Sequence, residues 1–245
     1  MNKTASSRDA RHLALTQIGA AGQARIAAGS VLLIGAGGIG CAAAQYLVSS
    51  DVGRVTICDF DTVDATNLGR QVLYGPDDVG KSKVRVAGAR LAAANPGVDL
   101  TLIDARLDDA ALADVVTNVD VVLDGCDNFS TRFQVSDACV AAHCCLISGA
   151  AIRLEGQLAV FGPDYTATPC YRCLYSEADE SLENCAGNGV LAAVPGVIGT
   201  LMAVEALKQL AGLDVERGRL LLFDAGRGDF RSVGIPKRDD CAACH

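Results

Sequence analysis

A glycine-rich segment, Gly35-Ala36-Gly37-Gly38-Ile39-Gly40, directly follows a short apolar run at residues 31–34. Glycines let a backbone turn tightly and approach an anion without a Cβ in the way, and the start of the next helix offers unpaired N–H groups to a phosphate. Asp59 comes nineteen residues after Gly40, where a carboxylate accepts hydrogen bonds from a ribose. A ligand-free tight turn is the alternative, but the combination predicts a nucleotide site formed by Gly35, Gly37, Gly38, Gly40 and Asp59.

Three charged residues further along the chain bear on which nucleotide would bind. Arg70 and Lys83 supply fixed positive charge, which the β and γ groups of a triphosphate need more than the two phosphates of a dinucleotide do. Asp127 follows the apolar run 119–124 and is suited to hold Mg²⁺ at the carboxyl end of a strand. The alternatives are solvated surface charges for Arg70 and Lys83 and a helix N-cap for Asp127.

Two CxxC pairs suggest a metal centre. Each pair presents two thiolates to one face of a tetrahedral ion such as Zn²⁺. Their separation is much longer than in a compact zinc ribbon, so the zinc interpretation requires the end of the chain to fold back. The alternatives are two unrelated redox pairs, or a second CxxC that occurs at the C-terminus by chance. His245 is either a competing ligand or a free terminal residue. The candidate ligands are Cys170, Cys173, Cys241 and Cys244.

The other seven of the eleven cysteines fall into two groups. Cys185 lies in a polar, acidic stretch, where an exposed thiol is a candidate nucleophile or an incidental side chain. Six lie in apolar settings, most of them singly, and are expected to be small core residues: Cys41, Cys58, Cys126, Cys139, Cys144 and Cys145.

The elements that must position these residues follow an alternating pattern. Continuous apolar runs separated by helical segments are typical of strands covered on both faces, so the sequence predicts an α/β fold with a Rossmann-like, mostly parallel sheet. Alternating residues at 154–161 indicate that the sheet turns mixed there. The predicted strands are 31–34, Arg54–Cys58, 100–104, 119–124, 145–148, 154–161 and 220–223, and the predicted helices are 41–49, 81–94, one after Ser130, and 197–210.

The whole chain is expected to form one domain with four parts. Residues 1–28 form an N-terminal helical arm and residues 29–161 the nucleotide-binding core. Residues 162–199 are rich in Pro, Cys, Gly and acidic residues and predict a long surface loop that carries the first cysteine pair. Residues 200–245 complete the chain with a helix, a strand and the second cysteine pair.

Bulk composition excludes several classes of protein. A chain of 245 residues that is 50% hydrophobic is long enough to bury a full core. A net charge of −8 argues against a broad nucleic-acid-binding surface. No apolar run approaches the roughly 20 residues of a membrane helix, and residues 1–30 lack the continuous apolar segment of a secretory signal, so we expect a soluble, cytoplasmic protein.

Together, these residues resemble those of the ThiF/MoeB/HesA family, the bacterial adenylyltransferases of sulfur-carrier proteins and relatives of ubiquitin-activating enzymes. The resemblance covers essentially the whole chain, in motifs that occur in the family's order. They are Arg8-Asp9-Ala10-Arg11-His12-Leu13, the glycine segment, Asp59-Phe60-Asp61, Thr66-Asn67-Leu68-Gly69-Arg70-Gln71, Val79-Gly80-Lys81-Ser82-Lys83, Asp127-Asn128, Ser148-Gly149-Ala150-Ala151, Gly196-Val197-Ile198-Gly199 and both CxxC pairs.

The resemblance implies that the C-terminal Gly-Gly carboxylate of a small ubiquitin-like sulfur carrier attacks the α-phosphate of ATP, giving an acyl-adenylate and pyrophosphate. It also implies Mg²⁺ at Asp127, structural Zn²⁺ on the four cysteines, a covalent carrier bond at Cys185 in some members, and a separate sulfur donor. Arg11 matches an arginine that reaches the ATP of a second subunit, which implies a homodimer. The implied nucleotide contacts are Gly35, Gly37, Gly38, Gly40, Asp59, Asp61, Thr66, Asn67, Leu68, Gly69, Arg70, Lys83, Asp127 and Asn128.

The sequence departs from the family pattern in two places. Gly69 replaces a glutamine, and Asp9 replaces a common aromatic residue. The resemblance leaves open whether the carrier serves thiamine or molybdenum cofactor synthesis. A nicotinamide-dependent oxidoreductase on the same fold, and a non-catalytic scaffold, are the alternatives.

Overall fold

Eight strands form a single sheet in the computed structural model, which describes residues 8–175 and 189–245. The strands are β1 (Ser30–Ile34), β2 (Arg54–Cys58), β3 (Asp99–Ile103), β4 (Val121–Asp124), β5 (Cys145–Ile152), β6 (Glu155–Phe161), β7 (Arg219–Asp224) and β8 (Asp229–Gly234). Their spatial order is β3-β2-β1-β4-β5-β6-β7-β8. The pairs from β3 to β5 are parallel and those from β5 to β8 antiparallel, which confirms the predicted mixed sheet.

The described helices are α1 (Ala10–Leu13), α2 (Gly19–Ala28), α3 (Gly38–Ser49), α4 (Lys83–Ala94), α5 (Asp109–Thr117), α6 (Phe129–Ala141), α7 (Tyr171–Leu174) and α8 (Ala193–Ala211). Short polar side chains cap three of them by accepting hydrogen bonds from backbone N–H groups of the first turn. These caps are Ser82 for α4, Asp108 for α5 and Asn128 for α6. α8 ends at Gly212, whose φ of 72° is the left-handed conformation that glycine adopts most easily.

The parallel half of the sheet has its switch point between β1 and β4. The connection after β1 leads to β2 on one side, whereas β4 pairs with β1 on the other. All residues of β1 and β4 are buried, as expected for strands covered by helices on both faces. Ligands of open α/β sheets bind outside the carboxyl ends of strands at such a point.

Helix α8 is a central element of the core. It packs against α3 so closely that a Cβ on Gly199 would lie 2.1 Å from the carbonyl oxygen of Ile39. Its buried residues lie on one side of the sheet with α3 and α4, whereas α6 and the CxxC pairs cover the other side. The two faces of the sheet are therefore held by different helices.

Two expectations about this region are wrong. The helix predicted at 197–210 begins at Ala193, because Pro195 falls in the first turn, where its missing N–H has no partner to lose. The predicted surface loop 162–199 therefore ends earlier, and its expected boundary falls inside α8. Among the described residues, one helix, α8, is long and apolar enough by length and composition to cross a membrane. Its packing against α3 and the sheet accounts for this apolar character.

Three elements lack a strong sequence signal and were not predicted. Helices α5 and α7 are short, and β8 is an edge strand whose six residues are all exposed. An edge strand with two solvent-exposed faces shows no alternation of apolar and polar residues. The other predicted elements are present with boundaries that differ by a few residues.

Candidate active site and candidate metal centre

The glycine segment connects the end of β1 to the start of α3, as predicted. Gly35 has φ +90° and touches the loop after β4, since a Cβ there would lie 3.1 Å from the carbonyl oxygen of Gly125. Gly40 is tighter still, because its Cβ would lie 1.9 Å from the carbonyl oxygen of Gly35. The segment thus places the first turn of α3, with its free N–H groups, at the switch point of the sheet.

Gly40→Ala and Gly69→Ala form a matched pair of variants. A methyl group on Gly40 collides with backbone, whereas Gly69 has no atom within 4 Å of the added Cβ. We expect Gly40→Ala to lower the free energy of unfolding by about 3 kcal/mol and Gly69→Ala to change it by no more than about 0.5 kcal/mol. Urea unfolding of both variants measures the difference, and equal stabilities would contradict this geometry.

Asp59 holds the glycine segment in place. Its Oδ2 accepts a hydrogen bond from the N–H of Ala36 at 2.6 Å, and its Oδ1 accepts one from the N–H of Asp61 at 2.8 Å. Burial raises the pKa of the Asp59 carboxyl, and these two hydrogen bonds oppose that shift. Each carboxylate oxygen can accept more than one hydrogen bond, so a ribose hydroxyl can still bind.

Lys83 is not the solvated surface charge that the sequence alone allowed. Its side chain is 8% exposed, and its Nζ lies 2.9 Å from Oδ2 of Asp61. Arg70 is half-buried and donates from Nη1 to the carbonyl oxygen of Thr66 at 3.0 Å. That carbonyl belongs to a short 3₁₀ turn, Ala65–Asn67, whose N-cap Asp64 accepts a hydrogen bond from the N–H of Thr66. A buried lysine and a backbone-anchored arginine are fixed charges rather than mobile ones.

Asp127 is exposed and lies beyond β4. The alternative interpretation of Asp127 as a helix N-cap is wrong, because Asn128 has that role and accepts from the N–H of Thr131 at 2.9 Å. The Asp127 carboxylate is therefore not engaged in capping α6.

A single cavity of about 560 Å³ joins these groups, within the size range of small-molecule sites. It is lined by most of the predicted contacts: Gly35, Gly37, Gly38, Asp59, Asp61, Thr66, Asn67, Arg70, Lys83, Asp127 and Asn128. The lining does not include Gly40, Leu68 or Gly69, and Gly40 acts instead through the shape of the loop. The cavity continues along β5 and β6 past Ala150, Glu155 and Gln157, which leaves room for a second substrate.

Two candidate residues remain, Arg11 and Cys185. Arg11 is on α1, is exposed, and does not line the cavity of its own chain. Cys185 lies outside the described residues, so its candidacy stays a prediction.

Sequence reasoning missed a buried network behind Asp127. Asp124 is fully buried and accepts hydrogen bonds from the N–H of Cys126 at 3.1 Å and from Oγ of Ser148 at 3.3 Å. Arg132, 3% exposed, donates to the carbonyl oxygens of Cys126 at 2.6 Å and Gly149 at 3.2 Å. The network fixes the loop that carries Asp127. Charged residues at the end of an apolar strand and in the first turn of the next helix were its signal.

Gln71 was also missed as a site residue. It lines the cavity beside the glycine segment and is 3% exposed, yet its Oε1 has no hydrogen-bond partner among the described residues. A buried amide oxygen without a partner destabilises a fold unless a ligand or water completes it. The cavity therefore contains a polar atom that a bound ligand can satisfy.

The four candidate metal ligands come together, so the end of the chain does fold back. Their sulfur atoms all lie within 4.8 Å of one another, and three neighbouring pairs are 3.6 to 4.0 Å apart. Zn–S bonds of about 2.3 Å place the sulfurs of a tetrahedral site roughly 3.8 Å apart. The side chains are between 0% and 7% exposed, and burial raises the pKa of the Cys170 and Cys173 thiols. The arrangement fits a tetrahedral cation and excludes two unrelated CxxC pairs.

His245 is exposed and is not part of the four-cysteine group. The six cysteines expected in the core are buried, except that Cys126 is half-buried and lines the cavity.

The fold and cavity define an α/β nucleotide-binding protein with a four-cysteine centre. The chain belongs to the ThiF family, whose profile matches residues 10–243. It is 48% identical over 241 residues to the adenylyltransferase and sulfurtransferase MOCS3 of Bos taurus, covering 97% of this chain and 52% of that protein. It is 43% identical over 224 residues to the molybdopterin-synthase adenylyltransferase of Escherichia coli strain K12, covering 91% of this chain and 90% of that protein.

The chain thus spans about half the length of the MOCS3 relatives that it matches. Among solved structures, E. coli MccB with ATP has a TM-score of 0.85 at 22% identity, covering 100% of this chain and 75% of that one. That likeness shows the fold. These two relatives, which are 43% and 48% identical to nearly the whole of this chain, are both named adenylyltransferases, and this supports a nucleotidyltransferase enzyme.

Proposed function

We propose that this protein is an ATP-dependent adenylyltransferase that activates the C-terminal glycine carboxylate of a small ubiquitin-like sulfur carrier. The carboxylate oxygen bonds to the α-phosphorus of ATP, the bond to the β-phosphate oxygen breaks, and pyrophosphate leaves. The observation that carries the proposal is the convergence of Arg70 and Lys83 with the glycine segment on one cavity.

The electrostatics of the cavity favour this reaction. A carboxylate and a triphosphate repel each other, so fixed cations are needed to bring them together and to stabilise charge on the departing pyrophosphate. Arg70 and Lys83 meet this need and Asn67 adds an amide. No general base is required because the nucleophile is already ionised. Asp127 would hold Mg²⁺, which would screen the phosphate charges when bound.

The carrier would reach the ATP through the second part of the cavity. This part is lined by small side chains, including Ala150 and Ala151, beside Gly156. The space beside these residues would accommodate an extended tail without side chains, as a Gly-Gly terminus provides. The relatives' names favour a carrier of the MoaD type for molybdenum cofactor synthesis over a ThiS type for thiamine synthesis.

ATP–pyrophosphate exchange tests the proposal. Exchange should require ATP, Mg²⁺ and a carrier with an intact Gly-Gly terminus, and a carrier that lacks the last glycine should give none. A protein that binds NAD but shows no exchange with either carrier type would reject the proposal in favour of an oxidoreductase. The rates with MoaD-type and ThiS-type carriers assign the pathway.

A homodimer is part of the proposal, because exposed Arg11 lies outside its own cavity. We expect Arg11→Ala and Asp127→Ala homodimers to be inactive. When the two variants are mixed so that their subunits redistribute, about half of the dimers are mixed and one of the two sites in each is intact. The mixture should therefore regain up to about a quarter of the wild-type rate of ATP–pyrophosphate exchange. Restoration is expected because one mixed interface combines an intact Arg11 with an intact Asp127. A mixture as inactive as its components would contradict action between subunits.

Four further expectations belong to this proposal. The four cysteines would hold a structural Zn²⁺, and a sulfur donor outside this chain would act after adenylation. Cys185 would bond to the carrier in that later step. The expected setting is the cytoplasm.

A further inference from the structure

Lys237 lies directly beside the four-cysteine centre. Its Nζ is 3.2 Å from Sγ of Cys244, 2.8 Å from the carbonyl oxygen of Cys244 and 2.7 Å from the carbonyl oxygen of Tyr165. An ammonium has three donors and no acceptor, so these three contacts satisfy it fully. The side chain is half-buried, and its contacts join the C-terminal cysteine turn to the segment that precedes the first CxxC pair.

A cation at this position compensates negative charge on the four-cysteine centre. Four thiolates around one divalent ion carry two net negative charges, and these sulfurs are almost completely shielded from water. A buried net charge is destabilising unless a neighbouring charge or hydrogen bond compensates it. An ammonium that donates to one of the sulfurs compensates one of the two charges.

Two other basic residues beside the cysteines are already paired. Arg172 donates two hydrogen bonds of 2.7 Å to Asp137, and its guanidinium lies 4.5 Å from the ring centre of Phe133. Arg238 donates two of 3.1 Å to Asp240. Of these three cations, Lys237 is the one whose hydrogen bond goes to a cysteine sulfur.

We propose that Lys237 is an outer-sphere determinant of metal affinity: it stabilises the zinc-bound thiolate of Cys244 and fixes the second CxxC pair against the first. This inference depends on the proposed zinc site. It concerns a residue that does not ligate the metal, and it makes the strength of zinc binding depend on a charge next to the ligands.

Zinc dissociation constants test the proposal directly, by competition of the purified full chain with a chromophoric chelator. Losing an outer-sphere partner of a metal ligand weakens binding by about 10- to 100-fold, and we expect a loss of this size for Lys237→Met. Lys237→Arg keeps the charge and should recover part of the affinity. Arg238→Met removes a neighbouring charge that is paired with Asp240, and it should bind zinc as the wild type does.

The outcomes separate this proposal from the zinc site itself. If the wild type binds no zinc, the zinc site is wrong. If the wild type binds one zinc and Lys237→Met binds it equally tightly, the role of Lys237 is wrong. An equal loss in Arg238→Met would also overturn it, since any nearby charge would then suffice. Thermal unfolding at saturating zinc checks folding, and Lys237→Gln, which keeps a donor without the charge, replaces the Met variant if that one fails to fold.

Discussion

Replacing Arg70 with Ala is expected to lower carrier-dependent ATP–pyrophosphate exchange by about 10²- to 10³-fold, the usual effect of removing one preorganised charge from a transition-state site. Arg70 is anchored to the carbonyl oxygen of Thr66 and lines the cavity with Lys83. Its charge is therefore in position before substrate arrives. The fall should appear in kcat more than in the KM for ATP, because the negative charge grows on the pyrophosphate as it leaves.

Arg85→Ala is the matched control for that variant. Arg85 is an exposed arginine that pairs with Asp104 at 2.7 Å, and it does not line the cavity. We expect its loss to leave exchange unchanged, since exposed ion pairs contribute little. Wild-type exchange in Arg70→Ala would reject the role of Arg70. A similar fall in both variants would show that overall charge, rather than position, matters.

Replacing Cys173 with Ser is expected to reduce bound zinc from about one ion per chain to nearly none, and to lower the midpoint of thermal unfolding by roughly 10 °C. Structural zinc contributes about 10 kcal/mol or more in small zinc domains, and each 1 kcal/mol corresponds to about 2–4 °C in a chain of this size. A loss of about 4 kcal/mol is enough to produce this shift. A chelator should lower the midpoint of the wild type in the same direction.

Cys139→Ala is the control for the zinc prediction. Cys139 is fully buried in the same hydrophobic cluster as Cys173 but is not part of the four-cysteine group. The Cys139→Ala variant should lose some stability because its core packing is poorer, but it should keep its zinc. Metal analysis that finds no zinc in the wild type, or full zinc in Cys173→Ser, would contradict the assignment.

The sequence predicts features that depend on a few neighbouring residues better than those that depend on packing. The glycine segment could be located because Gly35 and Gly40 meet a steric demand that other residues cannot meet. The strand order could be anticipated only as a mostly parallel sheet that turns mixed. Neither the exposed edge strand β8 nor the early start of α8 at Ala193 has a pattern that distinguishes it.

The same limit applies within the site. Lys83 is buried by tertiary contacts that no spacing reveals. Whether Asp127 or its neighbour Asn128 caps α6 depends on the residue at which the helix begins, which the sequence pattern places only approximately. Arg132 and Asp124 are joined to the site through Ser148 and Cys126, which come from different elements. Residue type suggested which groups could act, but only the fold assigns each one its partner.

The ion pair between Lys83 and Asp61 has a consequence for selectivity. Since Lys83 already has a carboxylate partner, an incoming phosphate replaces one anion with another and gains only the difference between the two pairs. A small anion such as free phosphate gains little from this exchange. A nucleotide in the proposed site would gain more, because its ribose and base would add contacts elsewhere in the cavity. We therefore expect Asp61 to compete with small anions for Lys83, so that binding would depend on the whole nucleotide rather than on its charge alone.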